Sequence, residues 1–273
     1  MLSQRVLSST LMVLLTIFAI LNKWFFIVFV VALTMAGLYE FFYLVRKKGI
    51  PIYSYVGIFI GTAIPLSIFT RFELTKNWEL LFIVIGFLLL LLLQFLREDN
   101  HNAIVGISTT LFGVLYVSWF FSFLVKIRSL IPGDGGMKLL IFIIAVTKAG
   151  DIGALLIGKK YGKHALLAKV SPNKTVEGWI AGLAFAAIAA WLCWFCLPKA
   201  LNYTFLQVLL LGAFFGGIGQ LGDLSESMIK RDCNVKDSGK FLPGLGGVLD
   251  VIDSLLFAAP AFYLYMSSAL STL

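Results

Sequence analysis

Four carboxylates near the end of the chain are spaced so that they could act together. Asp223 and Glu226 are three residues apart, and so are Asp250 and Asp253. On a helix, residues i and i+3 share a face, so Asp250 and Asp253, which open an apolar run, turn to one side, while Asp223 closes the run before them and Glu226 follows it. Between the pairs run Lys230, Arg231, Lys236, Asp237 and Lys240, then Pro243, Gly244, Gly246 and Gly247. Clustered carboxylates without His or Cys suit a hard cation such as Mg2+, which takes oxygen ligands and keeps waters and phosphates. The bases would offset a polyphosphate beside it, and the glycines and proline shape a tight turn. The pattern points to metal-assisted phosphoryl or nucleotidyl transfer. The plainer reading of Asp250 is a solvated acid at a helix N-terminus, where the dipole favours it.

A second charged stretch, GKKYGKHALLAKVSPNKTVEG at 158–178, holds five lysines and three glycines. Backbone amides freed by glycine, with lysines nearby, make an anion site. The spacing is not that of a Walker A loop. Ser171 and Thr175 fit phosphate contacts, or equally a helix cap with Asn173 and Glu177 as local partners. Upstream, Lys148 and Asp151 lie within an apolar run at i, i+3. Ionisable groups in such runs suggest function. The pair is either a neutralised structural bridge or the wall of a polar cavity opening toward the following loop. Glu40 is a weaker candidate, because Arg46, Lys47 and Lys48 are close and the membrane interface can simply solvate it.

The elements that must position these groups are membrane helices. Of the 273 residues, 60% are hydrophobic and 13% charged, with mean hydropathy +0.95. Soluble domains are about a quarter charged. Nine apolar stretches, near 6–21, 24–45, 53–69, 78–96, 103–125, 138–158, 179–197, 206–223 and 248–268, approach the length of a bilayer crossing. They are expected to be helical, since a bilayer core satisfies no open backbone groups. The fold class is therefore all-α and polytopic, a single domain over 1–273. Basic residues divide about two to one between alternate loops, which places the N-terminus and both charged loops, 159–178 and 224–247, in the cytoplasm. The net charge of +8 comes without a nucleic-acid-binding module. Cys193, Cys196 and Cys233 form no disulfide framework.

The residues from Ser227 to Asp253 resemble a family signature. Ser227, Ile229, Lys230, Arg231, Lys236, Asp237, Gly239, Leu242, Pro243, Gly246, Gly247, Val248, Asp250, Ile252 and Asp253 stand as in phosphatidate cytidylyltransferases, also called CDP-diacylglycerol synthases. GDLSES before it, SPNKTVEG at 171–178 and GLYE at 37–40 are similar to the family as well, with Asn173 and Val176 as departures. Within the signature, Leu245 stands where the family normally has His, and Val251 where it has Arg.

The resemblance implies a membrane enzyme of phospholipid biosynthesis that joins CTP and phosphatidate into CDP-diacylglycerol and pyrophosphate. It implies Asp223, Asp250 and Asp253 as ligands of Mg2+, with room for a second cation. Lys174, Lys230, Arg231 and Lys236 would hold phosphates, and Asp237 and Glu226 would orient bases or a second cation. Asp151, Ser171, Thr175, Gly246 and Gly247 complete the expected substrate contacts. The expected setting is the inner (plasma) membrane with the site facing the cytoplasm. Membrane lipids are the surroundings, a homodimer is the oligomeric option, and no nucleic acid is involved. Two rival readings stand beside this one: a CTP-dependent enzyme acting on another lipid phosphate, and an inactive or transport-type membrane relative.

Overall fold

The computed structural model describes residues 2–70, 78–98, 100–167, 169–239, 241–244 and 246–272. Leu245 and Lys240, both singled out above, lie outside the described residues. Among the described residues nine long helices follow one another, besides two single 3-10 turns at Trp194–Cys196 and Lys199–Leu201: α1 (Leu2–Leu21), α2 (Lys23–Lys47), α3 (Ser54–Thr70), α4 (Trp78–Phe95), α5 (Ala103–Leu130), α6 (Gly135–Tyr161), α7 (Val176–Leu192), α8 (Phe205–Asp232) and α9 (Leu249–Ser271). Among the described residues the only sheet is a hairpin of β1 (Ala165–Leu167) and β2 (Ser171–Thr175), between α6 and α7.

The nine apolar stretches of the sequence are all helical. Five of them (α2, α5, α6, α8 and α9) are long and apolar enough to cross a membrane, while the helices at 6–21, 54–70, 81–95 and 176–192 are shorter. One boundary differs in a way that matters. Residues 224–232 read as loop in the sequence, yet α8 continues to Asp232, so Glu226, Lys230 and Arg231 project from a helix. The charged residues at 223–231 fall on regular turns, and an i, i+4 Glu226–Lys230 bridge supports the extension.

The helices group into two compact units, residues 1–125 with 233–250, and residues 126–232 with 251–273. In the first unit α2 packs against α3 and the middle of α5, burying Leu38, Phe41, Phe42 and Val117. Asn22 caps α2 by accepting from the amides of Trp24 and Phe25, each at 3.0 Å. Pro65 inside α3 has no N–H for the carbonyl of Gly61, four residues back. The hydroxyl of Ser118 donates to that carbonyl. Ser118 sits in the π-helical segment Val114–Trp119 of α5, where the wider turn redirects side chains. Ser118→Ala is expected to cost about 1–3 kcal/mol, because it leaves a buried carbonyl without its donor. A lowered thermal unfolding midpoint in detergent would report the loss, and an unchanged midpoint would refute the role.

In the second unit α7 lies between α6 and α8 through small residues. A Cβ on Gly212 would come 2.5 Å from the Cβ of Ala190 and 2.7 Å from the carbonyl of Ala186. Such interfaces let backbones approach closely in a membrane, where packing replaces the hydrophobic drive. Phe142, Phe262 and Phe215 fill the centre, with the Phe262 ring centroid 5.6 Å from that of Phe142 and 5.1 Å from that of Phe215.

Candidate active site

The polar residues of the second unit converge on α8. Its Asp223 and Glu226, one turn apart, meet Asp253 from the first turns of α9, and one oxygen from each lies within 4.8 Å of the others. Gly222 allows this. A Cβ there would stand 2.5 Å from the carbonyl oxygen of Asp253, so any side chain would push α9 away. Glu226 is fully buried and Asp253 is 6% exposed, whereas Asp223 is half-buried. Three carboxylates this close repel one another unless cations intervene.

The cations come from three directions. Lys174, at the end of β2, places its ammonium 2.7 Å from Asp223 Oδ1 and donates to Ser227 Oγ at 3.2 Å. Asp223 and Ser227 are four residues apart on α8, so Lys174 spans one helical turn. Lys230 binds Glu226 Oε2 at 2.6 Å along the same helix. Lys148, on α6, reaches Asp151 Oδ2 at 3.0 Å, Ser254 Oγ at 2.8 Å and the carbonyl of Val251 at 3.0 Å. Ser254 in turn donates to Asp151 Oδ2 at 2.9 Å. The Lys148–Asp151 pair is therefore also a tie between α6 and α9. Its carbonyl partner is Val251, one of the residues singled out in the sequence.

The hairpin delivers Lys174. Ala165 pairs with Thr175 and Leu167 with Ser171, with an irregularity between them. Thr175 caps α7, its hydroxyl accepting from Gly178 N at 3.1 Å, so the capping alternative describes its contact. Ser171 is a buried strand residue and caps nothing. Glu177 clasps the approach to the hairpin. It takes His164 Nδ1 at 2.6 Å and the amides of Lys163 and His164 at 3.1 and 3.3 Å. The His164 bond foremost holds its carboxyl down at about 2. Arg231 donates from Nε to the carbonyl of Val170 at 3.4 Å. Asp223, Ser227 and Arg231 thus form an i, i+4, i+8 row along the hairpin side of α8.

Asp250, Lys236, Asp237, Gly246 and Gly247 belong to the first unit. Lys236 and Asp237 are exposed. Leu242 and Gly246 exchange both backbone hydrogen bonds, at 3.0 and 3.1 Å, and close the turn through Pro243 and Gly244. Gly246 has φ +97°, which excludes most side chains. Asp250 Oδ2 accepts from Ser238 N at 3.0 Å, Ser238 Oγ at 2.8 Å and Gly247 N at 2.7 Å. The amides of both glycines are therefore used within the loop. Within the second unit Glu226 stands with Asp223 and Asp253, and within the first Asp250 braces its own loop. Glu40, expected to be solvated at an interface, is instead buried at 5% exposure and bonded to this loop.

Three clustered carboxylates with only oxygen donors suit a hard divalent cation. Sequence comparison gives the arrangement its setting. Residues 3–269 match the model of the cytidylyltransferase family. The chain belongs to that family. It is 32% identical over 269 residues to a phosphatidate cytidylyltransferase of Bacillus subtilis (strain 168), covering 97% of each chain. To one of Synechocystis sp. (strain ATCC 27184 / PCC 6803 / Kazusa) it is 33% identical over 297 residues, covering 97% of this chain and 96% of the relative. To one of Staphylococcus aureus (strain COL) it is 38% identical over 164 residues, 60% of each chain. In this cytidylyltransferase family member the acids of α8 and α9, with Lys148, Lys174 and Lys230, all lie within the matched span.

Proposed function

We infer that this protein is a phosphatidate cytidylyltransferase, a membrane enzyme that makes CDP-diacylglycerol and pyrophosphate from CTP and phosphatidate. Near-full-length similarity to phosphatidate cytidylyltransferases supports the activity. The observation that carries the site is the convergence of Asp223, Glu226 and Asp253 beside Lys174.

The chemistry asks little covalent work of the protein. The phosphate of phosphatidate is already an anionic nucleophile. One of its oxygens bonds to the α-phosphorus of CTP, the bond to the β-phosphate oxygen breaks, and the electron pair leaves with pyrophosphate. The demand is for alignment and for neutralising charge that several phosphates bring together. Asp223, Glu226 and Asp253 would hold Mg2+, which when bound neutralises phosphate charge and orients the phosphoryl oxygens. Lys174 and Lys230 already carry positive charge at the cluster through their ion pairs, and an arriving phosphate offers each ammonium a second anion. Arg231 and Lys236 would add charge toward the pyrophosphate. We place nine crossings with a cytoplasmic N-terminus in the plasma membrane, which sets this site on the side where CTP is found.

The experiment supplies purified protein with radiolabelled CTP. Labelled lipid and pyrophosphate are expected only when phosphatidate and Mg2+ are both present. Turnover in chelated, metal-free protein would exclude the metal assignment. Preference for another lipid phosphate in a panel of acceptors would move the substrate, and lipid or ion flux without pyrophosphate release would exclude the enzyme reading.

A further inference from the structure

Glu40 is the buried acid that the transfer chemistry leaves unused. It lies on α2, some two hundred residues before the loop it contacts. Its Oε1 accepts from Val248 N at 3.0 Å and its Oε2 from Leu249 N at 2.9 Å, and Ser238 Oγ lies 3.1 Å from Oε2. Val248 and Leu249 are the residues at which α9 begins, where amides have no partner within the helix. One carboxylate therefore caps two consecutive orphan amides and meets the helix dipole with negative charge. The loop is shaped around it. A Cβ on Gly239 would collide with Glu40 Oε1, and a Cβ on Gly247 with Glu40 Oε2 and Ser238 Oγ.

Ser238 joins this carboxylate to Asp250. Its hydroxyl lies 3.1 Å from Glu40 Oε2 and 2.8 Å from Asp250 Oδ2. A hydroxyl has one proton to give. Asp250 holds it at the shorter distance, and Glu40 retains its two amides. A buried carboxylate survives only when such bonds replace its hydration.

We propose that Glu40 is a positioning residue for the transfer reaction: it holds the loop 238–250 and the first turn of α9 in the geometry that turnover requires, without touching substrate. The kinetic half rests on the function proposed above, and the structural half does not. Glu40→Gln keeps the size but sets an NH2 group against an amide donor, whichever way the side chain turns. Hydrogen exchange of the purified protein in detergent is expected to quicken by about tenfold or more in the peptide spanning 238–250. Peptides from 171–178 and from the centre of α8 should not change. Under the same conditions kcat is expected to fall about 10- to 100-fold, with KM for CTP within about threefold. Ser238→Ala, a smaller lesion, should shift both readouts the same way by less.

Unchanged exchange at 238–250 in both variants would overturn the latch. Faster exchange with unchanged kcat would overturn the positioning role, and a raised KM with unchanged kcat would make Glu40 a binding group instead. Exchange that quickens throughout the molecule would reduce Glu40 to a general stability residue. A wild type that does not turn over CTP would sink the function proposed above, while the exchange comparison would still decide the latch.

Discussion

Asp253→Asn is expected to lower CTP turnover about 100- to 1,000-fold while leaving the protein as stable as before, or more so. The two halves of this expectation have one cause. Asp253 is buried with Asp223 and Glu226 close by, so an ionised carboxylate there is opposed by burial and by its neighbours. Asparagine fills the same space, keeps an oxygen that can accept from Ser254 N, and cannot ionise. The same change removes a ligand and a negative charge where a divalent cation would sit. Pyrophosphate release and lipid product measure the first half, and the unfolding midpoint without metal measures the second. Near-normal turnover would remove Asp253 from the cation site. Lost turnover with a collapsed unfolding transition would make its role structural.

Lys230→Met is expected to destabilise the protein by about 3–5 kcal/mol, an effect that phosphate binding alone would not produce. Glu226 is fully enclosed, and the Lys230 side chain, 11% exposed, lies on it at 2.6 Å. Taking away the ammonium strands a charge in a place that water does not reach. Adding Glu226→Gln to Lys230→Met should recover most of the loss, since both charges then vanish together. Denaturation midpoints of the two single variants and the double variant in one detergent give the coupling. Equal midpoints for the wild type and Lys230→Met, with only a raised KM for CTP, would make Lys230 a substrate ligand and not a counter-ion.

The contrast between these residues shows where the sequence was readable. The i, i+3 spacing of Lys148 and Asp151 announced their bridge, because a helix fixes that geometry from sequence alone. Thr175 ahead of an apolar run offered a cap as one of its two readings, and the structure makes that contact, whereas Glu226 read as loop and stands on α8 with Asp223. Partners from distant segments were not readable. Lys174 and Asp223 were each singled out, but nothing in their separation says that they touch. Glu40 was undervalued because its neighbours in sequence are Arg46 to Lys48, whereas its partners in space are amides of residues 248 and 249. Amides carry no compositional signal. The hairpin was also missed. Ala165–Leu167 and Ser171–Thr175 are too short and too polar at their second strand to show a strand period, and lysine-rich stretches read as loop.

The split composition of the first unit sets an order of events during synthesis. Residues 1–125 are made before residues 126–232, and 233–250 only after them. At ordinary elongation rates the interval lasts on the order of ten seconds. Through that time the carboxylate of Glu40 is already built, and the Ser238, Val248 and Leu249 groups that will bind it do not yet exist. The N-terminal helices therefore wait, incomplete, for a segment near the other end of the chain. A nascent protein stalled before residue 248 would carry in α2 an acid whose two amide partners are not yet made.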